Sequence, residues 1–425
     1  MGVACCKEEP VDLLGEVELS HFLLLRSVGK GSFGKVRVVQ HKGTKKLYAL
    51  KYINKEKCIQ MKAVDNIISE RRLLERIDYS LIVNMRYAFQ DDENLFMVLD
   101  LMLGGDLRFH LERLGTLPED YVRFYAAELA LSLNYLHSKQ IIHRYITHIN
   151  ALRDIKPDNI LLDEKGHAHL TDFNIAAQLS NKKNKTLTSI AGSMAYIAPE
   201  ILKKQGYSYS VDWWSLGILL YELLYGKRPF QGKSNEELQK SILHDPIEFP
   251  KEPKVSQEAI SFIKELLTRD VSRRMGVNEA GFKRLKDHAW VSGMCWDILH
   301  SKTVGAPFIP DENKSNFDPT HELEEVLLEE NPLKIRKRTA LPKKSMSNDE
   351  LAMIAAEDSY YAEKIRLEQS FKTFDYTKPN CKLQILTDPY TISKEEKDMS
   401  EESSTLLGDS DIAIDKPKHA HVLNT

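Results

Sequence analysis

Five cysteines in 425 residues are too few, and apart from the Cys5-Cys6 pair too scattered, for a disulfide framework or a zinc-binding spacing. That scarcity suits a reduced compartment, and a cytoplasmic location is expected. No apolar run reaches the roughly 18 residues that a spanning helix needs. The longest, Leu216 to Tyr225, carries Glu222 and follows Asp212, which reads as a buried core helix. The start lacks a basic segment followed by an apolar one, so secretion is not expected. Neither sign of charge dominates: 59 Lys+Arg against 62 Asp+Glu leave a net charge of -3, which gives no reason to expect nucleic acid as a partner. His143 and His148 stand five apart, but with no cysteine nearby a metal site is not expected. No internal repeat is found.

What is present is a chain long enough for a two-lobed core with flanking segments. Residues 1–21 read as a short acidic lead. From Phe22 to Tyr52, apolar residues recur at period two, as in Phe22, Leu24, Val36, Val38, Tyr48, Leu50 and Tyr52, which predicts strands. A helix is predicted over 62–77. Met97-Val98-Leu99 reads as a short strand ending at the turn signal Gly104-Gly105. Helical spacing then dominates, over 118–138, 211–225 and 256–268. The fold class is therefore α+β, with a small strand-rich lobe at 22–101 and a larger helical lobe at 102–290. Beyond 291 the periodicity fades. Lys334 to Lys344 is basic and Pro-interrupted, a linker pattern. Residues 349–370 can form one more helix, and 377–425 are polar and apolar-poor, the composition of disorder.

Four groups of residues carry chemistry. Val28 precedes Gly29-Lys30-Gly31-Ser32-Phe33-Gly34-Lys35-Val36, a G-x-G-x-x-G-x-V hairpin. Bare glycines let backbone amides close over phosphate oxygens, and Val36 can cover a base. Strands flank the motif on both sides. A dinucleotide-binding turn would need a helix immediately after it, so that reading is disfavoured. Lys51 ends the apolar strand Tyr48-Ala49-Leu50 and can bind phosphates if a carboxylate orients it. Glu70, within a helical run, is the candidate. Arg153-Asp154-Ile155-Lys156-Pro157-Asp158-Asn159 reads R-D-x-K-P-x-N: Asp154 is placed to accept a hydroxyl proton, Lys156 to neutralise a moving phosphoryl group and Asn159 to hold a metal. Asp172-Phe173-Asn174 supplies a second hard-oxygen metal ligand in Asp172, which suits Mg2+.

These motifs, with Ala198-Pro199-Glu200, stand in the order of a eukaryotic protein kinase, and the resemblance covers about 22–290. It implies a bilobal kinase fold. Lys156 in D-x-K-P resembles a serine/threonine kinase. Pro307-Phe308-Ile309-Pro310 and Asn316-Phe317-Asp318 resemble the AGC-kinase tail, and Phe371-Lys372-Thr373-Phe374-Asp375-Tyr376 resembles its hydrophobic motif, placing the tail at 291–376. Asp375 stands where a phosphorylatable residue often sits and would supply a fixed negative charge. The Asp172 and Asn316 motifs together are similar to the YANK family, serine/threonine kinases related to the AGC group.

The resemblance implies ATP and Mg2+ as cofactors and proteins with Ser or Thr acceptors as substrates. Adenine would lie against Asp100 to Met102, under Val28, Val36 and Ala49, with Leu99 at the back of the pocket and Leu161 among the lining residues. Asp212 would hydrogen-bond amides of the catalytic loop, Arg274 would pair with Glu200, and 192–197 would form a platform beside the acceptor. Asp106, Asp158 and Glu222 resemble positions where basophilic relatives bind substrate arginines, though Asp106 also suits the ribose. Phosphorylation at Ser189, or at Thr188 beside it, could pair with the motif arginine and order its loop. A monomer is expected.

Two features complicate this picture. Ile141-Ile142-His143-Arg144 begins the catalytic motif, yet residues 145–153 intervene before Asp154, so either Arg144 or Arg153 can serve as its arginine. A splice form or an error in the gene's assembly is one source of this insertion, and regulation is the other. Catalytic loops tolerate little misplacement, so impaired activity is expected. A nucleotide-binding pseudokinase or scaffold is the alternative function. The second feature is Met1-Gly2-Val3-Ala4-Cys5-Cys6, which exposes Gly2 for myristoylation, although Cys6 stands where Ser or Thr is preferred. Palmitoylation of Cys5 or Cys6 would add the second lipid that stable anchoring at a membrane surface needs.

Overall fold

In a computed structural model, the described residues are 12, 15–30, 34–139, 155–171, 194–203, 208–311, 316, 333 and 358–378. The chain divides into a unit of residues 1–375 and a second of 376–425; of the second, 376–378 are described.

The first unit begins with a 3-10 turn, Leu19–His21, and five strands: β1 Phe22–Lys30, β2 Gly34–His41, β3 Leu47–Asn54, β4 Met85–Gln90 and β5 Asn94–Leu99. Between β3 and β4 lie α1 Lys55–Gln60 and α2 Val64–Glu75. The sheet is antiparallel in the order β1-β2-β3-β5-β4, closed at its far edge by β8 Phe374–Asp375 from the tail. One face is a dry core in which Val39, Tyr48, Leu50, Tyr87, Phe89, Phe96 and Val98 pack together. Val17 and Leu19 are buried in this same cluster. The acidic lead is thus part of the small lobe from Val17 onward, because its two apolar residues cover the sheet end beside Phe22.

The large lobe contains α3 Leu107–Leu114, α4 Glu119–Ser138, the hairpin β6 Ile160–Leu162 and β7 Ala168–Leu170, and then α5 Pro199–Leu202, α6 Ser210–Tyr225, α7 Asn235–His244, α8 Gln257–Leu266, α9 Asn278–Lys286 and α10 Trp296–Leu299. Every residue of α6 is buried. It is the central helix of the lobe, as its all-round apolar sequence predicts. No described helix is long and apolar enough to cross a membrane. The last helix, α11 Ser359–Ser370, lies within the stretch predicted helical over 349–370, and it starts where Asp358 accepts from the Tyr360 and Tyr361 amides.

Candidate active site

Strand pairing creates the cleft face. Cross-strand partners point to the same side of a sheet. Val36 pairs with Gly29 on β1 and with Lys51 on β3, and Ala49 pairs with Leu99 on β5. Val36, Ala49, Lys51 and Leu99 therefore share the face opposite the dry core, and all four are only half-buried. Val28 and Lys35 are half-buried as well. Gly34 is needed for backbone approach: a Cβ there would fall 1.9 Å from the Tyr52 carbonyl oxygen. Gly31, Ser32 and Phe33, at the tip of the hairpin, lie outside the described residues, as does the side chain of Lys30.

Helix α2 presents Glu70, whose carboxylate lies 2.7 Å from Lys51 Nζ of β3 with only 3% of its side chain exposed. A lysine held this way keeps its ammonium fixed and charged at the rim of the cleft. The sequence expectation of this pair is met.

The hinge after β5 carries an ion pair of its own. The Asp100 carboxylate is turned back onto Arg86, at 2.6 and 2.8 Å, and onto the Asn84 side chain, at 3.0 Å. Opposite charge within hydrogen-bond reach holds it there, so only its main chain can serve a base. Met102 is buried, and Asp106 caps α3 by accepting from the Phe109 amide at 2.8 Å. Leu161 forms an isolated antiparallel bridge with Asp106. Burial raises the Asp106 carboxyl above its ordinary value, against the hydrogen bonds of the helix turn. Asn316 of the tail is fixed at this hinge by bonds to the Leu103 and Asp311 carbonyls, at 3.3 and 3.1 Å. Gly105, at φ 77°, makes room for it: a Cβ would fall 2.1 Å from the Asn316 carbonyl oxygen.

On the large lobe, Pro157–Asn159 is a 3-10 turn anchored by buried Ile155 and Pro157. Lys156 is half-buried, and Asn159 is 7% exposed. The Thr171 amide donates to the Asn159 carbonyl at 3.1 Å, which brings the residue preceding Asp172 beside Asn159. Asp154, Asp172 and the 145–153 insertion lie outside the described residues.

Three further motif positions of the large lobe are held by side chains from distant segments. Asp212 accepts from His137 Nε2 of α4 at 2.7 Å. Of the catalytic loop whose amides Asp212 is expected to meet, the residues before Ile155 lie outside the described residues. Glu200 accepts a bidentate fork from Arg274 at 2.6 and 2.9 Å, and Ser210 Oγ donates to it at 3.0 Å. Burial alone would raise the Glu200 carboxyl, but the Arg274 bonds outweigh it and hold the group below the usual range. Tyr196 of the platform is fixed through its carbonyl, which accepts from Ser215 Oγ at 2.9 Å.

Sequence reasoning missed several contacts. Arg108 spans Asp158 at 3.3 Å and Glu222 at 3.0 Å, so the acidic positions expected to meet substrate arginines already hold one. The tail also docks more firmly than its motif alone implies. Phe371 is fully buried and Phe374 nearly so. Gln90 Nε2 donates to the Glu368 and Phe371 carbonyls at 2.8 and 2.6 Å, and Lys55 pairs with Glu368 at 3.0 Å. Gln90, Lys55 and Arg71 are all buried here, which nothing in the sequence around them signals.

The family described as Protein kinase domain matches residues 22–291. Human serine/threonine-protein kinase 32C is 41% identical over 354 residues, covering 82% of this chain and 70% of its own length. Human serine/threonine-protein kinase 32B is 42% identical over 329 residues, 76% of each chain. Human serine/threonine-protein kinase Sgk1 is 38% identical over 305 residues, 71% of this chain and 68% of its own. A charged Lys51–Glu70 pair under a glycine hairpin, the fork from Arg274 to Glu200 and this breadth of similarity make the chain a member of the protein kinase family, on the branch of serine/threonine-protein kinases 32.

Proposed function

We propose that the chain transfers the γ-phosphoryl group of ATP to serine and threonine hydroxyls of proteins, using Mg2+. The observation that carries this reading is the Lys51–Glu70 pair at 2.7 Å on the half-buried sheet face that Val36, Ala49 and Leu99 share. An apolar stripe ending in a fixed ammonium fits a base at one end and phosphates at the other. The main chain of Asp100 to Met102 borders the base, and Lys51 orients the phosphates.

Asn159 and Asp172 would hold the metal. Their donor set fits: a buried carboxamide and a carboxylate are hard oxygen ligands, and the Thr171–Asn159 hydrogen bond sets the residue preceding Asp172 beside Asn159. When bound, Mg2+ neutralises phosphate charge. Asp154 orients the acceptor hydroxyl and takes its proton, and Lys156 steadies the transferring phosphoryl. The test is radiolabel transfer from ATP to a generic Ser/Thr substrate, with Asp172→Ala as the blank. Incorporation above the blank supports the reading, and equal incorporation overturns it.

For location, acylation at Gly2 with Cys5 or Cys6 would hold the chain at a membrane surface. Metabolic labelling with myristate and palmitate analogues, compared between the intact chain and Gly2→Ala, tests this. Unlabelled intact chain would count against it.

A further inference from the structure

The acidic group beside the catalytic turn has an occupant from within the chain. Asp158 belongs to the Pro157–Asn159 turn, two residues past Lys156, and is 48% exposed. Glu222 rises from α6 with 7% of its side chain exposed. Tyr196, from the platform, donates its hydroxyl to Glu222. Without a counter-charge these two carboxylates would form a pocket of charge -2 next to the residues assigned to phosphoryl transfer. Such a pocket would select basic side chains.

Arg108 fills it. The residue stands in the first turn of α3, held there by the Asp106 cap. Its Nη1 donates to Glu222 Oε1 at 3.0 Å, its Nε to Asp158 Oδ2 at 3.3 Å, and its Nη2 to the Tyr196 hydroxyl at 3.2 Å. All three nitrogens of one planar guanidinium are used, on partners from three separate segments. A guanidinium is suited to this, because its donors lie in a rigid fork. A substrate arginine would have to break these bonds and lie against a like charge.

We propose that Arg108 is a specificity-determining residue: it occupies the Asp158–Glu222 pocket in cis, so the enzyme selects protein substrates that carry no arginine at the position reaching this pocket. The inference rests on the reading of 154–159 as the phosphotransfer loop. It reverses the sequence expectation, in which Asp158 and Glu222 would meet arginines of the substrate.

The test uses the full chain, MgATP and a set of Ser/Thr peptides with arginine or alanine at each of the positions preceding the acceptor. The wild type should show no arginine preference beyond about twofold at the position where removing Arg108 creates one. Arg108→Ala, which exposes both carboxylates, should gain a preference of about tenfold or more at one position, the scale of one charge-assisted hydrogen bond pair. Arg108→Gln keeps the stem and an N–H donor to Tyr196, and it makes the same comparison should the alanine variant not fold. A wild type that already selects arginine at that position, or variants whose profile matches the wild type, would overturn the proposal. A purely structural ion pair would lower stability without moving the profile. If the wild type phosphorylates no peptide at all, the phosphotransfer reading fails. The ratio of arginine-peptide to alanine-peptide affinity in wild type and variant, read by fluorescence polarisation, then decides the pocket separately.

Discussion

Arg71 Nε donates to the Lys372 carbonyl at 2.9 Å, one residue along α2 from the Glu70 that holds Lys51. The same guanidinium lies 5.6 Å from the Phe371 ring centroid and pairs with Glu75 at 2.9 Å. One helix thus holds the tail with one side chain and the phosphate-binding lysine with the next. Whatever fixes the tail also fixes the position of Glu70.

Phe371→Ala should therefore weaken activity without touching the cleft. Burying a phenylalanine contributes about 1.5–3 kcal/mol, which is enough to shift the tail from docked to undocked. Hydrogen exchange should rise over 358–375 and over α2, and kcat/KM should fall by about tenfold or more, since ångström-scale misplacement costs that much. Unchanged exchange in α2 would show that the tail and the lysine are not coupled.

Arg274→Ala should destabilise the large lobe. Arg274 is 1% exposed, and its loss leaves the buried Glu200 carboxylate with the hydroxyl of Ser210 in place of a counter-charge. Removing one partner of a buried pair typically costs about 3–5 kcal/mol. Denaturant unfolding of the isolated variant should show a midpoint shift of that size. A shift under about 1 kcal/mol, the surface-pair range, would contradict the buried fork.

Stability should fall with pH below neutrality. Burial lowers both His110 and His169 below their ordinary value of 6.5, against the Gly104 carbonyl bond in one case and the Asp163 bond in the other. Below pH 6.5 the unfolded imidazoles take up protons that the buried ones refuse, so the unfolded state gains. This stabilisation is complete above 6.5 and is lost as the pH falls through the lowered folded values. A second loss should follow in stronger acid. Burial would raise Asp163, but bonds from His169, the His167 amide and Lys302 outweigh it and hold the carboxyl well below the ordinary 3.8. Unfolding free energies at pH 7.5 and 5.5 should differ less in His110→Gln than in wild type. An equal difference would remove His110 from the account.

The insertion calls for a direct comparison. Deleting 145–153 restores His143-Arg144 to immediate continuity with Asp154. Because a catalytic loop holds its groups closely, the deletion should raise phosphotransfer by about tenfold or more over the intact chain. Equal rates would show that the nine residues are accommodated without effect.

Much of this was legible in the sequence because it is local or periodic. The helices at 64–75, 119–138, 210–225 and 257–266 lie close to their predicted spans, since apolar periodicity marks them. The Lys51–Glu70 pair followed from motif order, and the Glu200–Arg274 pair from the family resemblance. By contrast, α3, α7 and α9 were not predicted; they are short, and their apolar positions are few. Asp100 turning to Arg86, Arg108 reaching Asp158 and Glu222, and Gln90 clamping the tail escaped notice for another reason. Arg108 and Gln90 meet partners 50 or more residues away, and Arg86 and Asp100, 14 apart, meet only because β4 and β5 pair. Val17 and Leu19 were lost inside a charged lead, where two apolar residues carry no pattern.

The most direct test of the account is Asp154→Asn, assayed for radiolabel transfer to a Ser/Thr substrate and, separately, for ATP affinity. The account predicts that transfer is abolished while ATP binds as it does to wild type, because Asp154 is assigned to the acceptor hydroxyl and Lys51 to the nucleotide. Transfer at the wild-type rate, or collapse of ATP affinity with it, would contradict that assignment.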